Sequence, residues 1–325
     1  MKSRAESIYS RLPIWSQDAI VSAYGYRLYK RRYKGKFNEY LKRAQEQYLL
    51  DDKKLAALQN KSVQILVSAA AVNVPYYRRL FRRHNIDPGE VKTTHDLERV
   101  PLLSKTPLRK APEEFIDSSY KGDKIHVIHT TGSTGTPLKI FCNDTARQQN
   151  FAYFTRFLMN AGFNPFGKSA TLWGRIVVPA KQQSPPFWRN SYFQKKLLFS
   201  SYHLNEKNIP CYIRKLREFQ PDYIDAYPSS IYAIARHAKR HHIDVTGVTR
   251  GITTSAETLF DFQRQTIEGV FGLPVFDQYG AAEMCLFVGQ CQAGNYHIHT
   301  DYGIVEILRP DGTPADAGEA TIAAL

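Results

Sequence analysis

The sequence predicts an α/β fold: a mainly parallel sheet flanked by helices, with a helical, basic segment before it and a β-rich part after it. Three observations predict this. From about residue 124 to residue 280, short apolar runs alternate with segments whose apolar residues recur at helical spacing, as in successive strand–helix units. Residues 1–120 instead read as helical and basic. From Asn295 the run NYHIHTDYGIVEILRPDGTPADAGEATIAAL reads as antiparallel β, with Asp311-Gly312 at a hairpin turn. The chain therefore divides into 1–120, a helical basic region; 121–284, an α/β core; and 285–325, a β-rich subdomain. The last of these stops on an apolar strand with no closing turn.

Each element has a local reason. QILVSAAAVNVPYYRRLFRRH carries apolar residues at helical spacing, and Pro75 interrupts it because proline lacks the backbone donor a helix interior needs. VPLLSKTPLRKAPEEF (100–115) holds three prolines and reads as a loop with short helical turns. KIHVIHT and LKIFCN are strands flanking a polar loop, so they read as a hairpin. Asn143 or Asp144 then caps the helix TARQQNFAYFTRFLMNAG. The alternation that follows runs KSATLWGRIVV (strand), KLLFSSYHL (strand), EKNIPCYIRKLREF (helix), DYIDAYP (strand) and SSIYAIARHAKRHH (helix). It closes with VTRGITTS (strand), ETLFDFQRQTIEGVFG (helix) and PVFDQYG (strand).

Composition narrows the class. With 325 residues, 43% hydrophobic and 23% charged, the chain is long enough for a large core and ordinary for a soluble globular protein. VQILVSAAAVNV (63–74) is too short to span a bilayer, and no signal peptide is legible, so the cytoplasm is the expected location. The four cysteines (Cys142, Cys211, Cys285, Cys291) do not make a disulfide framework in a chain this long. The net charge is +14, and residues 1–50 carry half of it, with 11 basic against 4 acidic side chains. RLYKRRYKGKF (27–37), RRLFRRH (78–84) and AKRHH (238–242) are basic clusters. They read either as solvated helix faces or as peripheral contacts for an anionic membrane or polysaccharide machinery. No nucleic-acid motif accompanies them, so nucleic acid is not an expected partner.

Two motifs carry chemistry. HTTGSTGTPLKI (129–140) offers backbone N–H groups unobstructed by bulky side chains, together with hydroxyl donors, the makings of an anion nest. It is not the common P-loop, because no Lys follows Gly135 and a strand, not a helix, comes next. FDQYGAAEM (276–284) follows a strand and places Gln278, Tyr279, Gly280 and Glu283 together. In an open parallel sheet, ligands bind at the carboxyl ends of the strands. An aromatic ring there can stack on a base, and a carboxylate can hold Mg²⁺ bound to phosphates.

These motifs, in this order, resemble the acyl-adenylate-forming ligase superfamily, in particular its phenylacetate–CoA ligase-like branch with the capsular polysaccharide biosynthesis proteins. TTGSTGTP resembles the family's phosphate loop, and AYPSSIYAIA (226–235) the motif lining the acyl pocket. TTSAETL (253–259) resembles the segment beside adenine, and DQYGAAE the Tyr-Gly-x-x-Glu motif. VPYYRRLF and VPLLSKTPLR support the placement. The resemblance implies the large N-terminal domain of an adenylate-forming enzyme. It would use ATP and Mg²⁺ to activate a small-molecule carboxylic acid as an acyl-adenylate, then pass the acyl group to CoA or another acceptor. On this resemblance Thr130, Thr131, Gly132, Ser133, Thr134 and Gly135 would cradle the phosphates, with Thr134 and Glu283 as catalytic residues and Glu283 holding Mg²⁺. Ser255, Ala256, Glu257, Gln278, Tyr279 and Gly280 would border the nucleotide. Tyr202, His203, Tyr227 and Pro228 would border the acyl group. Ala282 stands where the family usually has Thr or Ser, and Leu138 separates the loop's Pro137 from Lys139. The small lid domain with the catalytic Lys should follow residue 325, so a C-terminally truncated, catalytically incomplete chain is the expectation.

Cys285, Cys291, His297 and His299 follow the Glu283 motif. Two thiols and two imidazoles suit tetrahedral zinc, although the spacing Cys-x5-Cys-x5-His-x-His matches no common zinc motif. In a continuing strand His297 and His299 would share a face. The alternative to an enzyme is a non-catalytic nucleotide- or acyl-binding module that docks on a membrane or an acidic polymer assembly.

Overall fold

The computed structural model describes residues 8–120, 124–129, 137–316 and 322–324. The chain forms two compact units that interleave along the sequence. The first comprises residues 1–34, 154–280 and 288–297; the second comprises 35–153, 281–287 and 298–325.

The first unit is built on an eight-stranded sheet. Its strands are β3 (Ser169–Trp173), β4 (Trp188–Ser191), β5 (Lys196–Ser200), β6 (Tyr223–Ala226), β7 (Ile252–Thr254), β8 (Val275–Gly280), β9 (Phe287–Gln290) and β10 (Tyr296–Ile298), in the order β10-β9-β8-β7-β6-β3-β5-β4. The neighbours β5·β3, β3·β6, β6·β7 and β7·β8 are all parallel, and β4 adds an antiparallel edge. The expected mainly parallel α/β architecture is therefore present. The central strands are short and buried on both faces (every residue of β6 and β7 is buried), as a sheet covered on both sides requires.

The core explains which helices cover the sheet. Ala170, Leu172, Leu197, Phe199, Ile224, Ala226 and Ile252 from the strands pack with Tyr212, Ile213 and Leu216, and with Ile231, Ile234, Ala235 and Ala238. The first helical group lies on the helix Ile209–Phe219 and the second on Pro228–Arg240, in each case at helical spacing along one face. Burying each such aliphatic side chain is worth about 1.5–3 kcal/mol.

One strand had no apolar signature in the sequence. β4, WRNS, is held by polar contacts from the N-terminal helix Ile14–Tyr33. The Asp18 carboxylate accepts from the Asn190 backbone N–H (2.9 Å) and side-chain amide (3.0 Å), and the Arg189 Nε donates to Gln17 Oε1 (2.7 Å). Arg189 is fully buried and its other donors go to the backbone oxygens of Pro186 and Trp188 and to Gln182, so the charge is satisfied.

The second unit holds the helices Phe37–Gln47, Asp52–Asn73, Pro75–Arg83 and Lys105–Lys110. Pro75 breaks the long run as expected, and Val63, Val67, Phe81 and Val91 form its small core. β1 (His126–His129) and β2 (Lys139–Cys142) form the expected antiparallel hairpin. Asn143 is the cap of the next helix, Asp144–Asn160, accepting from the Ala146 N–H at 2.8 Å. β11 (Glu306–Leu308) pairs antiparallel with β12 (Ile322–Ala324), and Gly312 makes the tight turn at φ 88°, where glycine is unstrained. No helix among the described residues is long and apolar enough to cross a membrane. All four cysteines are free thiols.

Candidate functional site

The parallel strands bring one group of the predicted residues to a common edge. Along neighbours β8, β7, β6, β3 and β5, the carboxyl ends carry Gln278–Gly280, Ser255–Glu257, Tyr227–Pro228, Gly174 and Tyr202–His203. All belong to the first unit. Sequence motifs 25 to 50 residues apart are thus placed side by side by the register of one sheet, where open α/β sheets bind ligands.

The nucleotide-side residues differ in how they are held. Tyr279 is 49% exposed, so its ring face is available for stacking. Ser255 is buried, its N–H bonded to the Ala226 carbonyl (3.3 Å), and its hydroxyl oxygen is buried with no hydrogen-bond partner. Ala256 follows in the left-handed region at φ 67°, which turns the chain sharply at the strand end. The Glu257 carboxylate accepts from the Ser229 N–H at 3.0 Å, in the first turn of helix Pro228–Arg240. That pairing complements the partial positive charge of the helix end. Beneath these loops Asp277 ties the strands together, accepting from the Thr254 hydroxyl and, at 2.7 Å, from the Tyr296 hydroxyl. Burial pushes the Asp277 carboxyl up against these hydrogen bonds, and burial together with Asp277 pushes Tyr296 up to about 12.

The acyl-side residues form a second, tighter group. Tyr227 precedes the helix, with Pro228 at its first position, where proline's missing N–H costs nothing. Its ring lies 5.7 Å from that of Trp173, whose indole N–H donates to the Asp225 carbonyl (2.9 Å). Tyr202 is exposed and donates to the Gly174 carbonyl (3.1 Å). His203 is buried against the Phe187 ring, and its Nδ1 sits 2.7 Å from the Ser200 hydroxyl. Burial pulls the imidazole below the usual histidine range. The backbone carbonyls of Pro179, Ala180 and Gln182 face the ring and oppose that shift. Buried polar atoms are nearly always paired, so the unpartnered Ser255 Oγ at this sheet edge is an exception.

Two participants escaped the sequence motifs. Trp173 and Gly174 end β3, and a Cβ on Gly174 would come within 3.2 Å of the Tyr227 hydroxyl oxygen. The signal was a Trp-Gly pair just past an apolar run.

The remaining predicted residues lie elsewhere. The loop Thr130–Gly135 falls outside the described residues. Its flanking strands pair His129 opposite Lys139, so its two ends meet. Lys139 is bound to Glu113 at 2.8 Å. Glu283 belongs to the second unit and is an exposed carboxylate with no hydrogen bond or ion pair among the described residues. The four zinc candidates are distributed over both units, Cys291 and His297 in the first, Cys285 and His299 in the second. β10 ends at Ile298, so the expected shared strand face does not continue to His299. His297 is exposed and His299 buried.

No protein-family model matches the chain. It is 30% identical over 305 residues to protein CapK of Staphylococcus aureus, covering 94% of this chain and 66% of that protein. It is 23% identical over 301 residues to the phenylacetate-coenzyme A ligase of Thermus thermophilus and 26% over 279 residues to that of Escherichia coli, covering 61% of each. The chain thus spans about two thirds of the length of the curated relatives it matches. The fold matches that of 2-hydroxyisobutyryl-CoA ligase, solved in complex with 2-HIB-AMP and CoA, with a TM-score of 0.64 at 17% identity over 84% of this chain and 60% of that one. The class that fold and sequence define is the adenylate-forming ligases. Within it, the chain belongs to the phenylacetate–CoA ligase-like branch that includes protein CapK.

Proposed function

We propose that the chain is the nucleotide- and acyl-binding part of an enzyme that activates a carboxylic acid with ATP. A carboxylate oxygen would bond to the α-phosphorus, pyrophosphate would leave, and the acyl-adenylate would be carried to an acceptor thiol, with CoA the acceptor proposed from the ligase relatives. Capsular or exopolysaccharide synthesis is the proposed setting, by likeness to the CapK branch. The observation that supports the reading is the buried, unpartnered hydroxyl oxygen of Ser255 on the sheet edge that also carries Tyr279, Tyr227 and Tyr202.

Each residue then has a physical task. Tyr279 would stack on adenine. Ser255 Oγ would take its missing hydrogen bond from the nucleotide. Tyr227, Tyr202 and His203 would shape the acyl pocket. The loop Thr130–Gly135 would cradle the β- and γ-phosphates, with Thr134 placed at the transferring group. Glu283 would hold Mg²⁺, which neutralises phosphate charge when bound. Catalysis of this kind is mostly positioning and electrostatic stabilisation.

The test is calorimetric titration with Mg-ATP. Base–aromatic stacking is worth about 1–3 kcal/mol, so Tyr279→Ala should weaken binding about tenfold. Gly132→Val should weaken it at least as much by blocking backbone N–H groups of the loop. Unchanged affinity in both variants would overturn the assignment.

A further inference from the structure

One group of metal-ligating side chains gathers away from that edge. His237 and His241 are four residues apart, so they stand one above the other on the same helix face. The helix Pro228–Arg240 presses Ile234, Ala235 and Ala238 into the core, which leaves His237 buried at the margin and His241 exposed at the C-terminal cap. Glu206, in the turn before helix Ile209–Phe219, reaches the same place. Its Oε2 lies 2.6 Å from His237 Nδ1, and the two imidazole centroids are 4.3 Å apart. One ligand atom from each of the three lies within 4.8 Å of the other two.

We propose that Glu206, His237 and His241 form a transition-metal site, with Zn²⁺ as its ion. Zinc bonds of about 2.0–2.2 Å put tetrahedral ligands about 3.4 Å apart. Small rotations of the two exposed side chains, Glu206 and His241, would reach that spacing, widening the 2.6 Å Glu206–His237 contact and drawing in the atoms now up to 4.8 Å apart. Two imidazoles and a carboxylate suit zinc over Mg²⁺ or Ca²⁺, which prefer oxygen ligands alone. Three protein ligands leave a fourth position for water.

The competing role for Glu206 is an ion-pair hub. Arg236 and Arg240 lie 3.6 and 3.7 Å from its other oxygen, Oε1. Both arginines are more than half exposed, and pairs of that kind contribute little. They leave Oε2 facing the histidines. Two of the site's ligands lie toward the C-terminal end of the 13-residue helix, His237 about 14 Å and His241 about 20 Å along the axis from Pro228, while Glu206 follows three residues after His203. Loaded, the site would tether the turn before one helix to the end of the next as a structural staple.

The experiment is a zinc titration of the metal-stripped chain against a chromophoric chelator, repeated with Co²⁺ for its spectrum. We expect about one equivalent bound with Kd near or below about 1 µM. His241→Ala and Glu206→Ala should each weaken binding at least about tenfold, since losing a ligand of three removes much of the site's affinity. The Co²⁺ complex should show visible d–d bands without thiolate charge transfer, and the double variant Cys285→Ser/Cys291→Ser should bind zinc as wild type does. Both ligand variants alter exposed side chains, and their far-UV circular dichroism should match wild type. The proposal is overturned by no binding below about 100 µM zinc, by binding that His241→Ala and Glu206→Ala leave intact, or by binding that the double cysteine variant abolishes.

Discussion

Ser255→Ala gives an unusual pair of expectations, because the same oxygen burdens the empty protein and serves the loaded one. Ser255 is 5% exposed, and its hydroxyl has no partner. An unpaired buried hydroxyl costs about 1–3 kcal/mol. Alanine removes that cost and leaves only the small gap of the missing oxygen, so the ligand-free variant should gain about 1 kcal/mol. In a chain of this size that raises Tm by about 2 °C. With nucleotide bound, the hydroxyl completes a hydrogen bond worth about 1 kcal/mol, so Mg-ATP affinity should fall about fivefold. Differential scanning calorimetry without ligand and isothermal titration with Mg-ATP give the two numbers. A ligand-free variant less stable than wild type would show that the hydroxyl is already satisfied. An unchanged ATP affinity would show that its partner is not the nucleotide. Either result refutes the reasoning.

Two further expectations concern the edge. Glu257→Gln removes the carboxylate that accepts from the Ser229 N–H, so urea unfolding should show a loss of about 0.5 kcal/mol, the low end for an exposed helix-end charge, shrinking as salt is raised. Gly174→Val puts a branched side chain 3.2 Å or closer to the Tyr227 hydroxyl, so KM for the carboxylic acid that a substrate panel identifies should rise about fivefold, the effect of about 1 kcal/mol of overpacking, with Mg-ATP affinity held within about twofold.

Much of the first unit was legible because its signals are local. Apolar strands such as LLFS and YIDA, amphipathic helices such as IPCYIRKLREF and the caps between them depend on neighbours in sequence, and each formed as expected. Three motifs were placed for the same reason: AYPSSIYAIA and TTSAETL run on from the ends of strands β6 and β7 and DQYG ends β8, so parallel register carries them to one edge, whereas the loop Thr130–Gly135 lies outside the described residues. What escaped depends on distant partners. β4 has no apolar run, because Gln17 and Asp18 supply polar partners from about 170 residues away. The interleaving of the two units could not be read from contiguous composition, since residues 1–34 join a sheet that begins at Ser169. Glu257 read as a wall of the adenine site, and nothing local showed that it caps a helix starting 29 residues earlier. The metal-ligating group was missed because Glu206 is 31 residues from His237, whereas the cysteines and histidines after Glu283 drew attention by their closeness in sequence.

The most direct test of the central claim is to photolabel the protein with 8-azido-ATP and Mg²⁺ and map the modified peptide by mass spectrometry. The account predicts labelling within the segments 252–257 or 275–284, at the carboxyl ends of β7 and β8, abolished by excess ATP. Labelling confined to other segments, or labelling that excess ATP does not suppress, would contradict it.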